Sequence, residues 1–153
     1  YRGGTAQQLW RVDLDNNLRP VSAAAVALAT GHTGTSKRPM WSGVLQRLFF
    51  LSDRGEDETM NLWSCDAEGA QLRQHTCYED LEVRWCSLAD AIAEGNTGTT
   101  RLVLQVGADL YACDIAASGV RETQSPVEAA CTVHRLPLVL AAGCWLLLVL
   151  TAG

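Results

Sequence analysis

The sequence predicts an all-β fold: a partial β-propeller of two to two and a half four-stranded antiparallel blades, followed by an apolar C-terminal tail able to form a helix. Three observations predict it. A motif of Leu, then Trp or Tyr, two residues and Asp recurs in "LWRVDLDNNLRPVS" from Leu9, "LWSCDAEGAQLRQHT" from Leu62 and "LYACDIAASGVRET" from Leu110. The steps between copies are 53 and 48 residues, roughly the length of one blade. Two more strand-like runs precede each later copy. A sandwich would also supply short strands, but would not repeat a motif at fixed phase.

The elements follow in order. Residues 9–23 read as the last two strands of a first blade, with "DNN" as the turn. Residues 39–76 read as a whole blade: "PMWSG" (39–43), "RLFFLSD" (47–53), the Leu-Trp strand, and a return through "LRQHT". Residues 82–115 read as three strands of a third blade, "EVRWCSLAD" (82–90), "RLVLQVGA" (101–108) and the Leu-Tyr strand. Asp13, Asp66 and Asp114 are expected to start turns, because an Asp side chain bonds backbone N–H groups ahead of it. Gly69 and Gly119 are expected to supply the positive φ of the hairpins. Cys65 and Cys113 fall where the first copy has Val12, so a core-facing slot is expected. Trp10, Trp41, Trp63, Trp85 and Tyr111 are expected inside or between blades, with Phe49, Leu51, Val103 and Leu104 nearby.

Composition narrows the classes. Hydrophobic residues are 48% and charged ones 19%, which supports a packed core. The net charge of −5 gives no basic face for nucleic acid. None of the six cysteines forms a C-x-x-C pair, so a zinc site is not indicated. The polar opening "YRGGTAQQLW" has no apolar h-region, and reduced thiols in a cytoplasmic setting are expected. With no initiator Met, the start of the polypeptide is expected upstream.

"YRGGTAQQLW", "PMWSGVLQRLFFLSDRG", "NLWSCDAEGAQLRQHT", "LEVRW" and "GADLYACDI" come in an order that resembles the N-terminal propeller of tricorn-type proteases, S41-clan serine peptidases. The spacing of "SD-x-x-G", "NL-aromatic", "D-x-x-G" and "L-R-x-x-T" is shared with TolB-like and WD-like propeller repeats. The resemblance covers residues 1–122. It implies a parent that degrades oligopeptides and assembles into a homo-oligomer, with a second propeller and a catalytic domain beyond this segment. It implies for this segment a scaffold and a gate for peptides passing the propeller channel, without a catalytic site. The alternative is a stand-alone TolB-like module for protein–protein interaction.

The sequence departs from that pattern twice. The insertion "LADAIAEGNTGTT" (88–100) is expected to be a solvated loop. Residues 123–153 leave the family pattern, and 136–153 carry no charge over a length that could span a bilayer. A tail anchor and a truncated or mis-spliced gene product are the two readings; the second is favoured because the tail interrupts the propeller, and a membrane partner is not expected.

No catalytic, cofactor-binding or metal-ligating residue is assigned, and no cofactor is expected. His32 lies in a loop, His75 is expected as a solvated imidazole on an outer strand, and His134 precedes the apolar run. There is no G-x-S-x-G elbow and no H-E-x-x-H. The acidic "DRGEDE" (53–58) lacks the alternating ligand spacing of a calcium loop.

Overall fold

A computed structural model describes residues 6–92, 98–116 and 132–136. Among them are ten strands and no helix. β1 (Leu9–Arg11) pairs with β2 (Val26–Leu28). β3 (Ser36–Ser42), β4 (Arg47–Ser52), β5 (Asn61–Cys65) and β6 (Arg73–Gln74) form an antiparallel meander. β7 (Val83–Ile92), β8 (Gly98–Val106), β9 (Asp109–Ala116) and β10 (Thr132–Leu136) form a second. The third sheet therefore has a fourth strand beyond the three read from residues 82–115.

The second sheet is packed on both faces, and adjacent residues of β4 show why. Successive side chains of a strand point to opposite faces. Phe49 and Leu51 enter a core shared with Leu102, Leu104, Val106 and Cys113 of the third sheet. Phe50 enters a core shared with Leu9, Leu28 and Ala29 of the first. A strand buried on both faces reads as a continuous apolar run, which is the composition of "LFFL". β8 instead alternates along its length: Thr100, Leu102, Leu104 and Val106 are buried, while Thr99, Arg101, Val103 and Gln105 are half-buried.

The turns carry the repeat, with a shift of phase. Asp66 Oδ1 accepts the N–H groups of Glu68 and Ala70, at 3.1 and 2.7 Å. Gly69 follows at φ 84°. In the first sheet the same four-bond turn is built on Asp15, not Asp13: Asp15 Oδ1 accepts from Asn17 and Arg19, at 2.8 and 2.9 Å. Leu18, at φ 59°, stands where Gly69 stands. Asp114 is not a turn residue; it lies within β9, where both its oxygens accept from Arg101, at 2.7 and 2.6 Å. Gly119 lies outside the described residues. The first return strand is β2, beyond the expected limit at residue 23.

Gly69 packs where no side chain fits. A Cβ there would lie 2.6 Å from the backbone N of Ala29, on the loop leaving β2. The Gly69→Ala variant combines this clash with a left-handed φ that L-residues resist. It is expected to lose more than about 1 kcal/mol of unfolding free energy, read as a lowered urea midpoint; an unchanged midpoint would contradict the close approach of the first two sheets.

The 88–100 stretch corrects another expectation. Its ends are strand: Leu88, Ala89, Asp90, Ala91 and Ile92 pair with Leu102, Arg101, Thr100, Thr99 and Gly98. The long hairpin reaches over the turn between β3 and β4. Asp90 accepts hydrogen bonds there from the Ser42 hydroxyl and the N–H groups of Gly43 and Val44, at 2.9, 2.7 and 3.3 Å. Thr100 donates a fourth, at 2.7 Å. What burial Asp90 has raises its carboxyl, but the bonds from Thr100, Ser42, Val44 and Gly43 outweigh it and hold it below the usual range.

Candidate functional site

Four places gather polar or aromatic groups. The first is the loop carrying His32. Its Nε2 lies 2.6 Å from Asp53 Oδ1, which also accepts the N–H of Thr35, at 2.7 Å. Both side chains are largely buried. Gly34 sits so close to this pair that no Cβ could be added. The pair joins the approach to β3 to the end of β4, and no serine or cysteine is hydrogen-bonded to the ring among the described residues. Its geometry is that of a clasp.

The second is a chain from Arg47 through Ser64 to His75. Arg47 Nε donates to Ser64 Oγ at 2.9 Å, and Ser64 Oγ lies 2.8 Å from His75 Nε2. A serine beside a histidine is the arrangement general-base activation uses. Ser64, however, is completely buried, so no substrate carbonyl can reach it. His75 is not the solvated imidazole expected from its place on the outer edge. Burial, with Arg47 and Arg73 nearby, lowers its pKa to about 4. Its Nδ1 is sealed from solvent without a partner among the described residues.

The third is where the first strands of the two larger sheets meet. β3 has a bulge between Lys37 and Met40, and β7 has one between Val83 and Trp85. Bulges re-aim side chains, and these two bring the Arg38 guanidinium 3.6 Å from the Trp85 ring centroid. Trp85 stays half-exposed under that cation, a favourable arrangement for an aromatic face.

The fourth is an apolar groove of about 340 Å³ between the first and second sheets, lined by Leu9, Trp10, Leu28, Pro39, Trp41 and Leu48 among others. Trp10 and Trp41 are exposed here. With Trp85, these three tryptophans lie where sheets meet but are exposed, not covered as a core residue would be; Trp63 and Tyr111 are half-buried, and Phe49, Leu51 and Leu104 are buried as expected. Val103 is half-buried on the outer face of β8. The reason is local. The first sheet has two strands and covers Phe50 and Cys65, but not the part of β3 that carries Trp41.

The cysteines separate by environment. Burial pushes the Cys86 thiol up to about 12, and burial followed by Asp66 raises that of Cys65, so neither is a nucleophile at neutral pH. Cys65 and Cys113 occupy the core slots expected of them. Cys113 is disulfide-bonded, which corrects the expectation of reduced thiols at that position. Among the described residues no group of three or more His, Cys, Asp and Glu could hold a metal ion, and no helix is long and apolar enough to cross a membrane. Residues 137–153, where the helical tail was expected, lie outside the described residues; Leu136 ends β10.

Sequence reasoning missed Arg38 and Asp90, and no local signal pointed to them, because each acts on a different sheet from its own. It placed the first turn at "DNN", where the turn lies, but took Asp13 and not Asp15 as the residue that starts it. Compared with protein-family models, with curated proteins and with solved structures, the chain matches none.

Proposed function

We propose that the chain is a wall segment of a β-propeller belonging to a tricorn-like serine peptidase, a scaffold and a gate for oligopeptides and not a catalytic site. One observation carries the reading. Two consecutive four-stranded meanders stack face to face, with their first strands, β3 and β7, packed against each other. Consecutive blades of a propeller do this, and their first strands line the central channel. In that reading Arg38 and Trp85 face the passing peptide, the cation for a carboxylate and the ring for an apolar side chain.

The polar clusters support a wall in preference to an enzyme. His32 is engaged by Asp53, and the Ser64–His75 pair is sealed in the core. The purified chain is therefore expected to hydrolyse no fluorogenic tri- or tetrapeptide. Turnover that co-purifies with it, and disappears in His32→Ala or His75→Ala, would make it an enzyme in its own right. The parent is tested in cells with an antibody raised against residues 39–76. The expected result is a polypeptide far larger than 16.5 kDa that a serine-directed phosphonate labels. A species of 16.5 kDa alone, with no labelled polypeptide of which it is part, would refute the reading.

A further inference from the structure

Arg38 is oriented by its neighbours, yet its hydrogen-bond donors are not engaged. Its Cζ lies 3.6 Å from the centroid of the Trp85 ring. Carbon atoms of two stacked planes touch at about 3.5–4.0 Å, so the guanidinium lies flat on the indole; edge-on, a nitrogen would sit inside the ring's van der Waals surface. Stacking covers the face of the guanidinium and leaves its N–H groups pointing outward in its own plane. Arg47, Arg54 and Arg101 donate to hydroxyls, carbonyls or a carboxylate. Arg38 is exposed, and among the described residues it has no such acceptor and no ion pair. The backbone is bent to this arrangement. Of the six non-glycine residues described with a left-handed φ, Arg38, at 56°, is the one within a strand. Unfavourable backbone conformations of this kind gather at ligand-contacting sites. Pro39 follows, with no N–H to offer a partner strand. β3 and β7 each end their sheet, and with Pro39 and the two bulges their meeting edges are poor templates for strand pairing.

We propose that Arg38 and Trp85 form a carboxylate-reading site that makes this stretch of wall selective for acidic oligopeptides. The inference rests on the peptide-handling reading above and adds the charge of the peptide. A carboxylate in the plane of the guanidinium takes two parallel N–H bonds. The apolar side chain next to it in the peptide lies on the open part of the indole, which is 49% exposed. A lysine in the same place meets a like charge and is rejected. Because Pro39 and the bulges disfavour strand addition, the peptide is held through side chains alone. Contacts between exposed charges are weak and screened by salt, which suits a ligand in transit. An internal glutamate or aspartate and a C-terminal carboxylate offer the same chemistry to this site.

The probes are Gly-Leu-Glu-Leu-Gly, acetylated and amidated, its Gln counterpart capped in the same way, and the Gln peptide with a free C-terminal carboxylate. Each is titrated into the full chain at about 50 mM salt. The readouts are the Arg38 Nε–H resonance, identified by its loss in Arg38→Asn, and the indole N–H of Trp85. A peptide with a carboxylate is expected to shift both, with a Kd of about 5 mM or tighter, and the capped Gln peptide to bind at least about tenfold more weakly. A response to the capped Glu peptide supports the proposal with a side chain as the source, and a response to the free-acid peptide alone supports it with the chain end as the source. Arg38→Lys keeps the charge and loses the planar fork, and is expected to weaken binding. Arg38→Asn accepts the left-handed φ more readily; it is expected to lose binding with a urea midpoint no lower than that of the wild type. Three results would overturn the proposal: no shift with either carboxylate peptide up to about 10 mM, equal affinity for all three peptides, or a lowered midpoint in Arg38→Asn, which would make the stack a structural clasp. The parent reading fails separately, because a 16.5 kDa species alone in the antibody experiment would remove the parent and leave the carboxylate effect on this chain standing.

Discussion

Replacing Phe49 by alanine is expected to cost about 3–5 kcal/mol of unfolding free energy, the largest loss from any single side chain here. The ring is wholly buried where the second and third sheets meet. It also packs against the His75 ring, with centroids 5.2 Å apart. Truncation removes the transfer free energy of a benzyl group and leaves a cavity that paired strands on both sides cannot collapse into. Against a typical total of about 5–15 kcal/mol, such a loss leaves the variant marginal at best. Phe50→Ala is the informative comparison. Its ring faces the first sheet, which rests on the second through a smaller cluster. Urea unfolding gives the free energies, and native-state hydrogen exchange gives the location. Phe49→Ala should accelerate exchange in β4 and β8 together, whereas Phe50→Ala should release β1 and β2 first and leave β8 protected. If Phe49→Ala lost less than about 1 kcal/mol, the two-sided burial of β4 would be wrong.

The contrast between those phenylalanines also indicates what the sequence could and could not convey. "RLFFLS" signals a strand through its apolar run, and the strand lies there. The run does not say that Phe49 and Phe50 serve different interfaces; that follows only when sheets lie on both sides. Trp41 shows the reverse failure. Its size and its place on a strand indicate burial, but burial needs a neighbour, and the two strands of the first sheet do not reach it. The Asp13 reading failed for a related reason. Leu9, Trp10 and Asp13 repeat the letters of the later copies, but the hydrogen bonds follow Asp15, two residues on, so letters and turn are out of phase here, as they are at Asp114, which lies within β9. The 88–100 stretch reads as loop because Ala, Gly and Thr have little apolar area to bury. What makes it strand is pairing across the hairpin and the anchorage of Asp90 on another sheet. Of the candidate sites, Asp53 and His32 are 21 residues apart and Arg38 and Trp85 farther still, so nothing in local sequence joined them.

His75 makes stability fall with acidity in a window set by its own environment. Its pKa in the folded chain is about 4, against an ordinary value of 6.5, because burial, then Arg47 and Arg73, oppose the charged ring. The unfolded chain has no such environment and binds the proton near the ordinary value. Between pH 6.5 and 4 the unfolded state therefore holds a proton that the folded state refuses, and each pH unit shifts the balance toward unfolding by about 1.4 kcal/mol. The effect is absent well above pH 6.5, grows as the pH falls, and levels off near pH 4 at about 3 kcal/mol. Asp90 acts in a different window. Its carboxyl is held below its usual range, so the stability it contributes is present above that range and is lost only as the pH falls through its lower folded value. The measurement is the urea midpoint at a series of pH values from about 4 to 7.5, for the wild type and for His75→Gln, which keeps a polar partner for Ser64 and cannot titrate. The wild type should lose stability steeply across the window, and the difference between the two chains should isolate the histidine. Parallel profiles for the two would mean that the ring is protonated as readily in the folded chain as in the unfolded one, and that the sealed Arg47–Ser64–His75 chain described above is open to water.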